Sequence, residues 1–534
     1  MLEFLRFLPA GTAAMLLELP NLEATITLLD ALQTRPVPGV VEIVPAARTL
    51  LIRFDAFETD RSALIDAISK IDLSVRSIRQ GKLFEIPVVY DGEDLNEVGD
   101  LLGWSVDNLI DRHTAATYTV AFTGFAPGFA YMACDDPAFD VPRRKSPRAR
   151  IPAGAVALGG KFGGIYPSEG PGGWQLLGRT PLKMWDVGRS PAALLAPGDR
   201  VQFRNVTSEA AVLSPKEIFG VETVTRKLSA EGLLITRADR PALYQDRGRL
   251  KQARQGVSES GALDRKSFIE ANLCVGNPRG ATVVEIAYGG FALKTDRPVT
   301  LALCGATTPA TIRTNSGKSV YAPIGQPFAL DAGDEVTLEF PPEGTRTYLA
   351  IRGGFKVENV LNSAASDTLA KVGPPPISVG DVLVPALEVV SAVDPYLMKS
   401  NRLPTADEVV SLDIVLGPRT DWFAAAGVST LTTQQWQVTQ DSSRVGVRLA
   451  GEKPIQRSDS AELPSEGTPL GAIQVPHDGQ PILFLADHPL TGGYPVIGVV
   501  ADHHLDLAGQ VPIGAKIRFN VIAAFDPSTT ETER

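Results

Sequence analysis

Residues 172–178 read Gly-Gly-Trp-Gln-Leu-Leu-Gly, and residues 492–498 repeat the pattern as Gly-Gly-Tyr-Pro-Val-Ile-Gly. Further matching units flank both stretches in the same order and at similar spacing: Gly154-Ala155-Val156 and Gly471-Ala472-Ile473 before them, and Gly198-Asp199-Arg200-Val201-Gln202-Phe203 and Gly514-Ala515-Lys516-Ile517-Arg518-Phe519 after them. Similar motifs at matched spacings indicate a duplicated supersecondary unit.

The repeated units have the chemistry of turns that lead into strands. A Gly-Gly-aromatic unit offers turn conformations that residues with a Cβ atom resist, and a Gly-x-x-Val/Ile-x-Phe unit is typical of a tight turn before a strand. The turn-strand element also occurs at Gly333-Asp334-Glu335-Val336 and Gly380-Asp381-Val382-Leu383. We therefore predict a mainly β protein with repeated β-barrel-like units, two of them paralogous. The alternative is chance matching of glycine-rich turns.

Length and composition agree with this prediction. A chain of 534 residues is several times the usual domain size of roughly 100–150 residues, so about three or four folding units are expected. The 49 Gly and 41 Pro favour a turn-rich, β-rich protein. Cys134, Cys274 and Cys304 are odd in number and far apart, so we expect packed free thiols.

Charge and hydropathy exclude two classes of partner. The net charge of -10 gives no general attraction to nucleic acid or anionic lipid. The first 20 residues include Glu3 and Glu18 and alternate like a strand, unlike a secretory leader. No run approaches the roughly 20 apolar residues that span a bilayer. We expect a soluble, cytoplasmic protein that binds neither nucleic acid nor membrane.

Hydrophobic periodicity divides the chain into five parts. Apolar residues recur at helical spacing over 22–32, and residues 49–55, Thr-Leu-Leu-Ile-Arg-Phe-Asp, are typical of a strand, which predicts a small N-terminal α+β domain. The predicted parts are this domain at 1–82, a β-barrel at 83–212, a linker at 213–228, a region with two β-barrel-like units at 229–525, and a polar tail at 526–534.

The segment at residues 122–131 reads Phe-Thr-Gly-Phe-Ala-Pro-Gly-Phe-Ala-Tyr. It places four aromatic rings among two glycines and a proline. Such a segment can wall a pocket with flat apolar faces, while its glycines let the backbone approach a ligand. An ordinary corner of the core is the equally weighted alternative.

The neighbours of this segment carry a family resemblance. They include His113-Thr114, Pro142-Arg143, Pro147-Arg148, Ile165-Tyr166-Pro167 and Pro171-Gly172-Gly173-Trp174. The succession resembles allophanate hydrolase subunit 1, the family that includes the B-type subunit of 5-oxoprolinase, over residues 1 to about 210.

The second half resembles allophanate hydrolase subunit 2, the family that includes the C-type subunit of 5-oxoprolinase. The residues that carry this resemblance are Gln245-Asp246-Arg247-Gly248-Arg249, Ser260-Gly261-Ala262-Leu263-Asp264, Glu285, Ser442-Ser443-Arg444, Gly471-Ala472-Ile473-Gln474 and Asp487 before Thr491-Gly492-Gly493-Tyr494-Pro495. The chain thus looks like a natural fusion of the B-type and C-type subunits. The resemblance implies cyclophilin-like β-barrels.

The resemblance also implies an activity. Enzymes of this kind hydrolyse 5-oxo-L-proline to L-glutamate with ATP and Mg, by phosphorylation of the amide oxygen and attack of water. It implies a small amide substrate and a separate A-type subunit of 5-oxoprolinase as partner, without which the chain is inactive or nearly so. A homo-oligomer is also open, and no biotin is attached to this chain.

Candidate side chains exist for each role that this chemistry requires. Arginines Arg143, Arg148 and Arg179 can hold a phosphate or carboxylate, or can be solvated surface cations. Gly172, Gly173, Gly492 and Gly493 can present backbone N–H groups to an anion, or can serve turn geometry alone. Thr491 and Tyr494 belong to the same predicted binding set.

Two candidate residues are predicted to act on protons or orient the substrate. Asp487 lies beside the Thr-Gly-Gly-Tyr-Pro turn, with Gln474 as a neutral hydrogen-bonding partner; an exposed strand-end aspartate is the alternative. His113 is a candidate proton carrier, although a lone histidine between a helix and a strand is more often structural.

The triplet Asp502-His503-His504 raises the question of a metal site. Two imidazoles and a carboxylate are suitable ligands, but no third ligand follows at a recognisable spacing. The sequence therefore predicts no metal site.

The chain also departs from its relatives around the same turn. Many of them read Asp-Arg-Gln-Thr before it and carry a basic residue after its proline, whereas this chain has Asp487-His488-Pro489-Leu490 and Val496. Roles of those basic residues cannot be transferred, so a different substrate is an open alternative.

Two other functions remain open from the sequence. The same modules occur in urea carboxylase, where they transfer a carboxyl group from biotin. This chain has no Ala-Met-Lys-Met motif, to which biotin would be attached, and no Walker loop. The Met-Lys pair in Leu397-Met398-Lys399-Ser400 is interpreted as a coincidence. The subunit 1 family also includes a histidine-kinase inhibitor, so kinase regulation is the third possibility.

Overall fold

The structure is a computed structural model that describes residues 3–73, 81–134, 136–144, 146–208, 231–395, 402–459 and 461–532. The predicted linker at 213–228 and the Leu397–Ser400 motif lie outside the described residues. The described chain is mainly β, as predicted. None of its helices is both long and apolar enough to cross a membrane.

The N-terminal domain is a small α+β unit, as predicted. Its elements are β1 (Glu3–Pro9), β2 (Ala14–Glu18), α1 (Leu22–Thr34), β3 (Val40–Pro45), β4 (Thr49–Phe54) and α2 (Arg61–Ser69). The Asn21 side chain accepts a hydrogen bond from Ala24 N and so caps α1. The buried face of α1, including Leu28 and Leu32, packs on the sheet.

A seven-stranded barrel follows. Its elements are β5 (Leu83–Val88), α3 (Leu95–Leu102), α4 (Val106–Ala115), β6 (Thr117–Thr123), β7 (Ala130–Cys134), β8 (Arg148–Ile151), β9 (Ala155–Gly159), β10 (Phe162–Ile165), β11 (Gly170–Gly172), β12 (Gln175–Arg179) and β13 (Arg200–Asn205). The strand order is β12-β9-β10-β7-β6-β13-β5, with β13 and β5 parallel. A bridge between Val89 and Arg179 joins the two ends of the sheet.

The middle of the chain forms two sheets around one core. The elements are β14 (Leu233–Ala238), β15 (Ala242–Gln245), α5 (Arg265–Cys274), β16 (Val283–Ala287), β17 (Phe291–Thr295), β18 (Val299–Gly305), β19 (Ala310–Arg313), β20 (Ser319–Tyr321), β21 (Pro327–Leu330), β22 (Glu335–Leu338), β23 (Arg346–Ile351) and β24 (Val382–Leu383). Phe291 from one sheet and Leu349 from the other belong to a single buried cluster. We call this unit the central domain.

A closed barrel completes the chain. Its elements are β25 (Val409–Leu416), α6 (Ala425–Thr433), β26 (Trp436–Val438), β27 (Gly446–Ala450), β28 (Glu466–Gly467), β29 (Ala472–Gln474), β30 (Ile482–Phe484), β31 (Thr491–Gly492), β32 (Val496–Val500), α7 (Leu505–Ala508) and β33 (Lys516–Ala523). Its strand order is β32-β29-β30-β27-β26-β33-β25, with β33 and β25 parallel.

The two barrels have the same topology, which confirms the predicted duplication. Strands β5 to β13 correspond one by one to β25 to β33, including a separate two-stranded ribbon, β8 with β11 and β28 with β31. Gly198 and Gly514, which open the last strands, both have a φ of +92°. Glycine adopts this left-handed conformation without the steric cost that a Cβ atom imposes, so the repeated turn keeps its glycine.

The first glycine of each repeated Gly-Gly pair is glycine for a different reason from the predicted one. Neither Gly172 nor Gly492 has a left-handed φ. A Cβ atom on Gly172 would lie 2.3 Å from the Tyr166 hydroxyl oxygen, and one on Gly492 would lie 2.7 Å from Gln474 Nε2. Close approach of neighbouring side chains, rather than turn conformation, therefore excludes larger residues here.

The prediction of a polar tail at 526–534 is wrong in part. Residues 528–532 form β34 (Ser528–Thr532), which pairs antiparallel with β1 at the edge of the N-terminal sheet. Threonine-rich segments fit a pleated edge, and β1 offers otherwise unpaired backbone groups. The end of the second half thus completes the first domain.

Candidate functional site

The aromatic segment between β6 and β7 lies where the two halves of the chain meet. Gly128 N donates to Gln255 O at 2.8 Å, and the Thr123 hydroxyl donates to Ala253 O at 3.0 Å. The same segment touches the second barrel, because a Cβ atom on Gly124 would lie 2.2 Å from Thr491 Oγ1. We call this junction the barrel interface.

On the first barrel the interface is walled by aromatic rings. Phe122 and Tyr131 stack with their centroids 4.2 Å apart, and Phe129 packs edge-on against Trp174. These rings are buried, whereas Phe125 is 42% exposed and has a φ of 65°. A left-handed conformation is costly for a bulky residue and is often found at functional sites. Phe125 is therefore held out of the core by its backbone.

On the second barrel the interface carries the Thr-Gly-Gly-Tyr-Pro turn. Gln474 Nε2 lies beneath Gly492 and donates to Tyr494 O at 3.1 Å. The Tyr494 ring is 39% exposed; the Arg457 guanidinium lies 5.6 Å from its centroid, and His477 packs against it edge-on. This arrangement combines a flat ring with a cation.

Polar side chains connect the two walls. Arg143 Nη1 lies 3.2 Å from Glu462 Oε1, and the Tyr131 hydroxyl interacts with the Ser465 side chain. Thr491 Oγ1 is buried without a hydrogen-bond partner among the described residues. A buried hydroxyl without a partner is costly, so this atom is available to a ligand.

The first Gly-Gly pair lies near the same side of the first barrel. Gly173 O accepts a hydrogen bond from Arg144 N at 2.8 Å, which joins the ribbon strand β11 to the loop that carries Arg143. The structure thus places Arg143, Gly172 and Gly173 on one barrel, and Gln474, Thr491, Gly492, Gly493 and Tyr494 on the other.

Two of the predicted binding arginines, Arg148 and Arg179, form ion pairs with carboxylates of the first barrel. Arg148 donates to both oxygens of the buried Asp94, at 3.0 and 2.8 Å. Burial opposes ionisation of Asp94, but Arg148 and Leu176 N outweigh it, so the pKa of Asp94 is lowered. Arg179 pairs with Asp91 at 2.9 Å on the surface. These contacts favour structural roles for Arg148 and Arg179.

His113 lies inside the first barrel. It has no exposed surface, stacks on Phe203 at 4.5 Å between centroids, and shares a 2.7 Å hydrogen bond with the Tyr90 hydroxyl through Nδ1. Burial lowers the pKa of His113 to about 3. The structure does not bring this residue to the barrel interface, and a neutral core imidazole is a poor proton carrier at neutral pH.

We expect the substitution His113→Phe to reduce stability less at pH 5.0 than at pH 7.5. In the unfolded chain, His113 takes up a proton below its ordinary pKa of about 6.5, whereas in the folded protein it stays neutral down to its lowered pKa of about 3. Neutral His113 therefore makes its full contribution to the free energy of unfolding above about pH 6.5. As the pH falls below that value, the contribution decreases by up to ~1.4 kcal/mol per pH unit. Urea unfolding at both pH values measures the difference.

His477→Phe is the matched control, because His477 is exposed on the second barrel. A deficit of His113→Phe that stays constant between the two pH values would contradict a neutral His113.

Asp487 forms a second, fully buried centre. It has no exposed surface, and its oxygens accept hydrogen bonds from Arg444 at 3.0 Å, the Ser260 hydroxyl at 2.6 Å, and Thr368 N and Oγ1 at 2.9 and 2.7 Å. Burial opposes ionisation, but these donors outweigh it and the pKa of Asp487 is lowered. The exposed strand-end alternative is therefore wrong, and the geometry favours a positioning role.

Arg444 links Asp487 to the central domain. Its guanidinium also contacts Glu285 Oε1 at 2.5 Å and donates to Gly261 O at 2.6 Å. These residues all come from the stretches that carry the family resemblance, so the motifs converge on one buried ionic cluster. The motifs contain Arg444 and Glu285 but predict no role for either. Arg457 and Glu462 of the interface escaped prediction because no local pattern distinguishes them. Ser465 lies in Ser465-Glu466-Gly467, a further stretch that carries the family resemblance, but it was given no role.

Comparison with known proteins bears on both halves of the chain. The family model described as carboxyltransferase domain, subdomain C and D, matches residues 5–195, and the model for subdomain A and B matches residues 255–521. The chain is similar to the C-type subunit of 5-oxoprolinase from Escherichia coli, with 32% identity over 290 residues, 54% of this chain and 90% of the relative.

Two further similarities span the N-terminal half and the whole chain. The chain is 34% identical over 193 residues to the B-type subunit of 5-oxoprolinase from Bacillus subtilis, covering 33% of this chain and 80% of the relative. The crystal structure of TTHA0988 superposes with a TM-score of 0.80 and 34% identity over 95% of this chain and 99% of that one. This chain therefore belongs to the carboxyltransferase domain family, with subdomains C and D in its N-terminal half and subdomains A and B in its C-terminal half.

Proposed function

We propose that this protein is the fused B-type and C-type component of an ATP-dependent 5-oxoprolinase, which hydrolyses 5-oxo-L-proline to L-glutamate together with a separate A-type subunit. One observation carries the proposal: a B-type half and a C-type half build a single interface between two paralogous barrels. Tethering two modules that share an interface raises their effective concentration, so the interface forms within one chain without a separate association step.

The barrel interface offers groups suited to a small planar lactam with a carboxylate. Phe125 and Tyr494 present exposed rings on opposite barrels, in the two segments that meet at the contact between Gly124 and Thr491. The Arg457 guanidinium over Tyr494, together with Arg143, supplies positive charge for the carboxylate. The Thr491 hydroxyl supplies a hydrogen bond to the amide.

ATP supplies phosphorylation of the amide oxygen, which activates the lactam carbon toward water. The chain contains no Gly-x-x-x-x-Gly-Lys-Ser/Thr loop. Arg143 and Arg457 are single cations on opposite walls and do not form a triphosphate cradle. We therefore assign ATP and Mg to the complex with the A-type partner, and assign orientation of the lactam to this chain.

The test is release of ADP and glutamate from 5-oxo-L-proline and ATP, measured with this protein, with the A-type homologue from the same cell, and with both. We expect turnover only with both proteins. Absence of turnover would contradict the 5-oxoprolinase assignment, provided that the two proteins are shown to be folded and bound to each other.

Carboxyl transfer is the second candidate, because the matching family models are described as carboxyltransferase domains. A biotinylated carrier charged with labelled carboxylate would then lose its label to a urea-like acceptor in the presence of this chain. That outcome without 5-oxoproline turnover would replace the first proposal. Neither the relatives nor the geometry favours regulation of a histidine kinase.

A further inference from the structure

A cluster of metal-binding side chains lies on the second barrel, apart from the barrel interface. Asp413 lies on β25, and His503 and His504 follow the neighbouring antiparallel strand β32. One ring nitrogen of each histidine and one oxygen of Asp413 all lie within 4.8 Å of one another. The third ligand that the sequence lacked is therefore supplied from 90 residues away.

The distances suit a small divalent ion. His503 Nε2 lies 2.9 Å and His504 Nδ1 lies 3.8 Å from Asp413 Oδ2. Two ligands at about 2.0–2.1 Å from a tetrahedral ion lie roughly 3.3 Å apart, so shifts of at most about 1.5 Å convert this cluster, whose ligand atoms lie within 4.8 Å of one another, into a coordination shell. The His503 side chain is 57% exposed, which leaves one side open to water.

The surroundings orient the carboxylate for this role. Asn520 Nδ2 donates to Asp413 Oδ1 at 2.7 Å, which leaves Oδ2 directed at the histidines. Hydrogen bonds of this kind fix ligands in metal sites. His504 Nδ1 accepts a hydrogen bond from Asp413 N at 2.8 Å. Metal binding breaks this hydrogen bond in either case, because the ion takes the Nδ1 lone pair or, when it binds Nε2, the ring proton moves from Nε2 to Nδ1.

The chemistry of the donor set also suits a metal ion. A carboxylate and a neutral imidazole are the forms that bind metals. Imidazole nitrogen with one carboxylate oxygen is a donor set for zinc, copper or nickel rather than for magnesium or calcium.

We propose that Asp413, His503 and His504 form a binding site for a divalent transition metal of the zinc type, with Asn520 as its orienting residue. Bound metal would fix the turn after β32 to β25. That turn also contacts the N-terminal domain, where Asp502 N lies 3.4 Å from Thr12 Oγ1. The metal thus stabilises the second barrel against the first domain, and the proposal does not depend on the reaction at the barrel interface.

The test uses the full chain without a polyhistidine tag, freed of metal by chelation. Zinc binding is measured by titration calorimetry, and Co²⁺ is used as a spectroscopic probe of nitrogen and oxygen coordination. We expect about one ion per chain and a melting temperature that rises with zinc concentration, as mass action requires.

Variants distinguish this site from adventitious binding. Asn520→Ala should weaken zinc binding by roughly 10–100-fold, and His503→Asn and Asp413→Asn should weaken it further, because they remove ligands. His477→Asn, which removes an exposed histidine outside the cluster, should bind like wild type. Equal affinity in wild type and His503→Asn, or no binding at a large excess of zinc over protein, overturns the proposal. Melting of each metal-free variant verifies that it folds.

Discussion

Replacing Arg444 with methionine should lower the free energy of unfolding by about 3–5 kcal/mol, the largest effect we expect from one substitution on stability. The Arg444 side chain is 7% exposed and pairs with Glu285 at 2.5 Å and Asp487 at 3.0 Å. Methionine fills similar space but leaves Asp487 buried without its ion-pair partner, while Glu285 keeps only the Arg346 Nε atom at 3.6 Å. The penalty comes mainly from the uncompensated charge of Asp487.

The pH dependence of this loss identifies its cause. In wild type the pKa of Asp487 is lowered, so its contribution is present at neutral pH and is lost as the pH falls below about 4. In the variant, burial without its arginine disfavours the ionised form of Asp487, so protonation of Asp487 at acidic pH stabilises the folded variant. The deficit should therefore shrink from pH 7.5 to pH 5.0.

Urea unfolding of the full chain at the two pH values measures the deficit. The matched control is Arg313→Met, because Arg313 is 69% exposed and pairs with Glu335 on the surface. Such exposed pairs contribute about 0–1 kcal/mol. Similar losses in the two variants, or a deficit of Arg444→Met that does not change with pH, would contradict a buried ionic cluster.

Gly124→Ala should reduce kcat/KM of the assembled enzyme by about 100-fold, the largest effect we expect on activity. The added Cβ atom would lie 2.2 Å from Thr491 Oγ1, so the aromatic segment and the Thr-Gly-Gly-Tyr-Pro turn must move apart. Displacement by about 1 Å is enough to cost this much when reacting groups are held by both walls. Steady-state turnover in the presence of the A-type partner measures the loss.

Two further variants isolate the contact between the barrels. Gly170→Ala is the matched control, because a Cβ atom there meets nothing within 4 Å and its φ is not left-handed. It should retain wild-type turnover. The clash in Gly124→Ala should also lower the free energy of unfolding. Thr491→Ala in the Gly124→Ala background removes the clashing hydroxyl and should restore part of that stability, although loss of the hydroxyl itself lowers turnover. A double variant no more stable than Gly124→Ala argues against this contact as the cause.

Several elements of the fold were predictable because their signals are local. Helix α4 begins after Ser105, whose hydroxyl accepts a hydrogen bond from Asn108 N, as an N-cap serine before an apolar-periodic segment predicts. Gly198 and Gly514 adopt the same left-handed φ in both barrels. The edge strand β34 was not predictable, because a polar threonine-rich end has no apolar alternation and pairs only because β1 lies beside it.

The candidate site was predictable only as a set of residue types. Asp487 and Arg143 carry charges that suit catalysis or binding, yet one is fully buried among hydrogen-bond donors and the other faces Glu462 at the barrel interface. The spacing of residues along the sequence does not specify which side chains surround Asp487 and Arg143 in space. Arg457 had no signal at all, since its position over Tyr494 depends on how the barrel closes.

The sequence by itself determined the repeated barrels and the positions of their turns, which follow from backbone preferences and hydrophobic periodicity that act over a few residues. Its motifs also carried the resemblance of both halves to their families. Tertiary structure alone decided which charges meet. Arg444 and Glu285 are 159 residues apart, and Asp413 and His503 are 90 apart. A side chain's pKa, partners and accessibility depend on groups within a few ångströms in space, and the fold brings those groups together from distant parts of the chain.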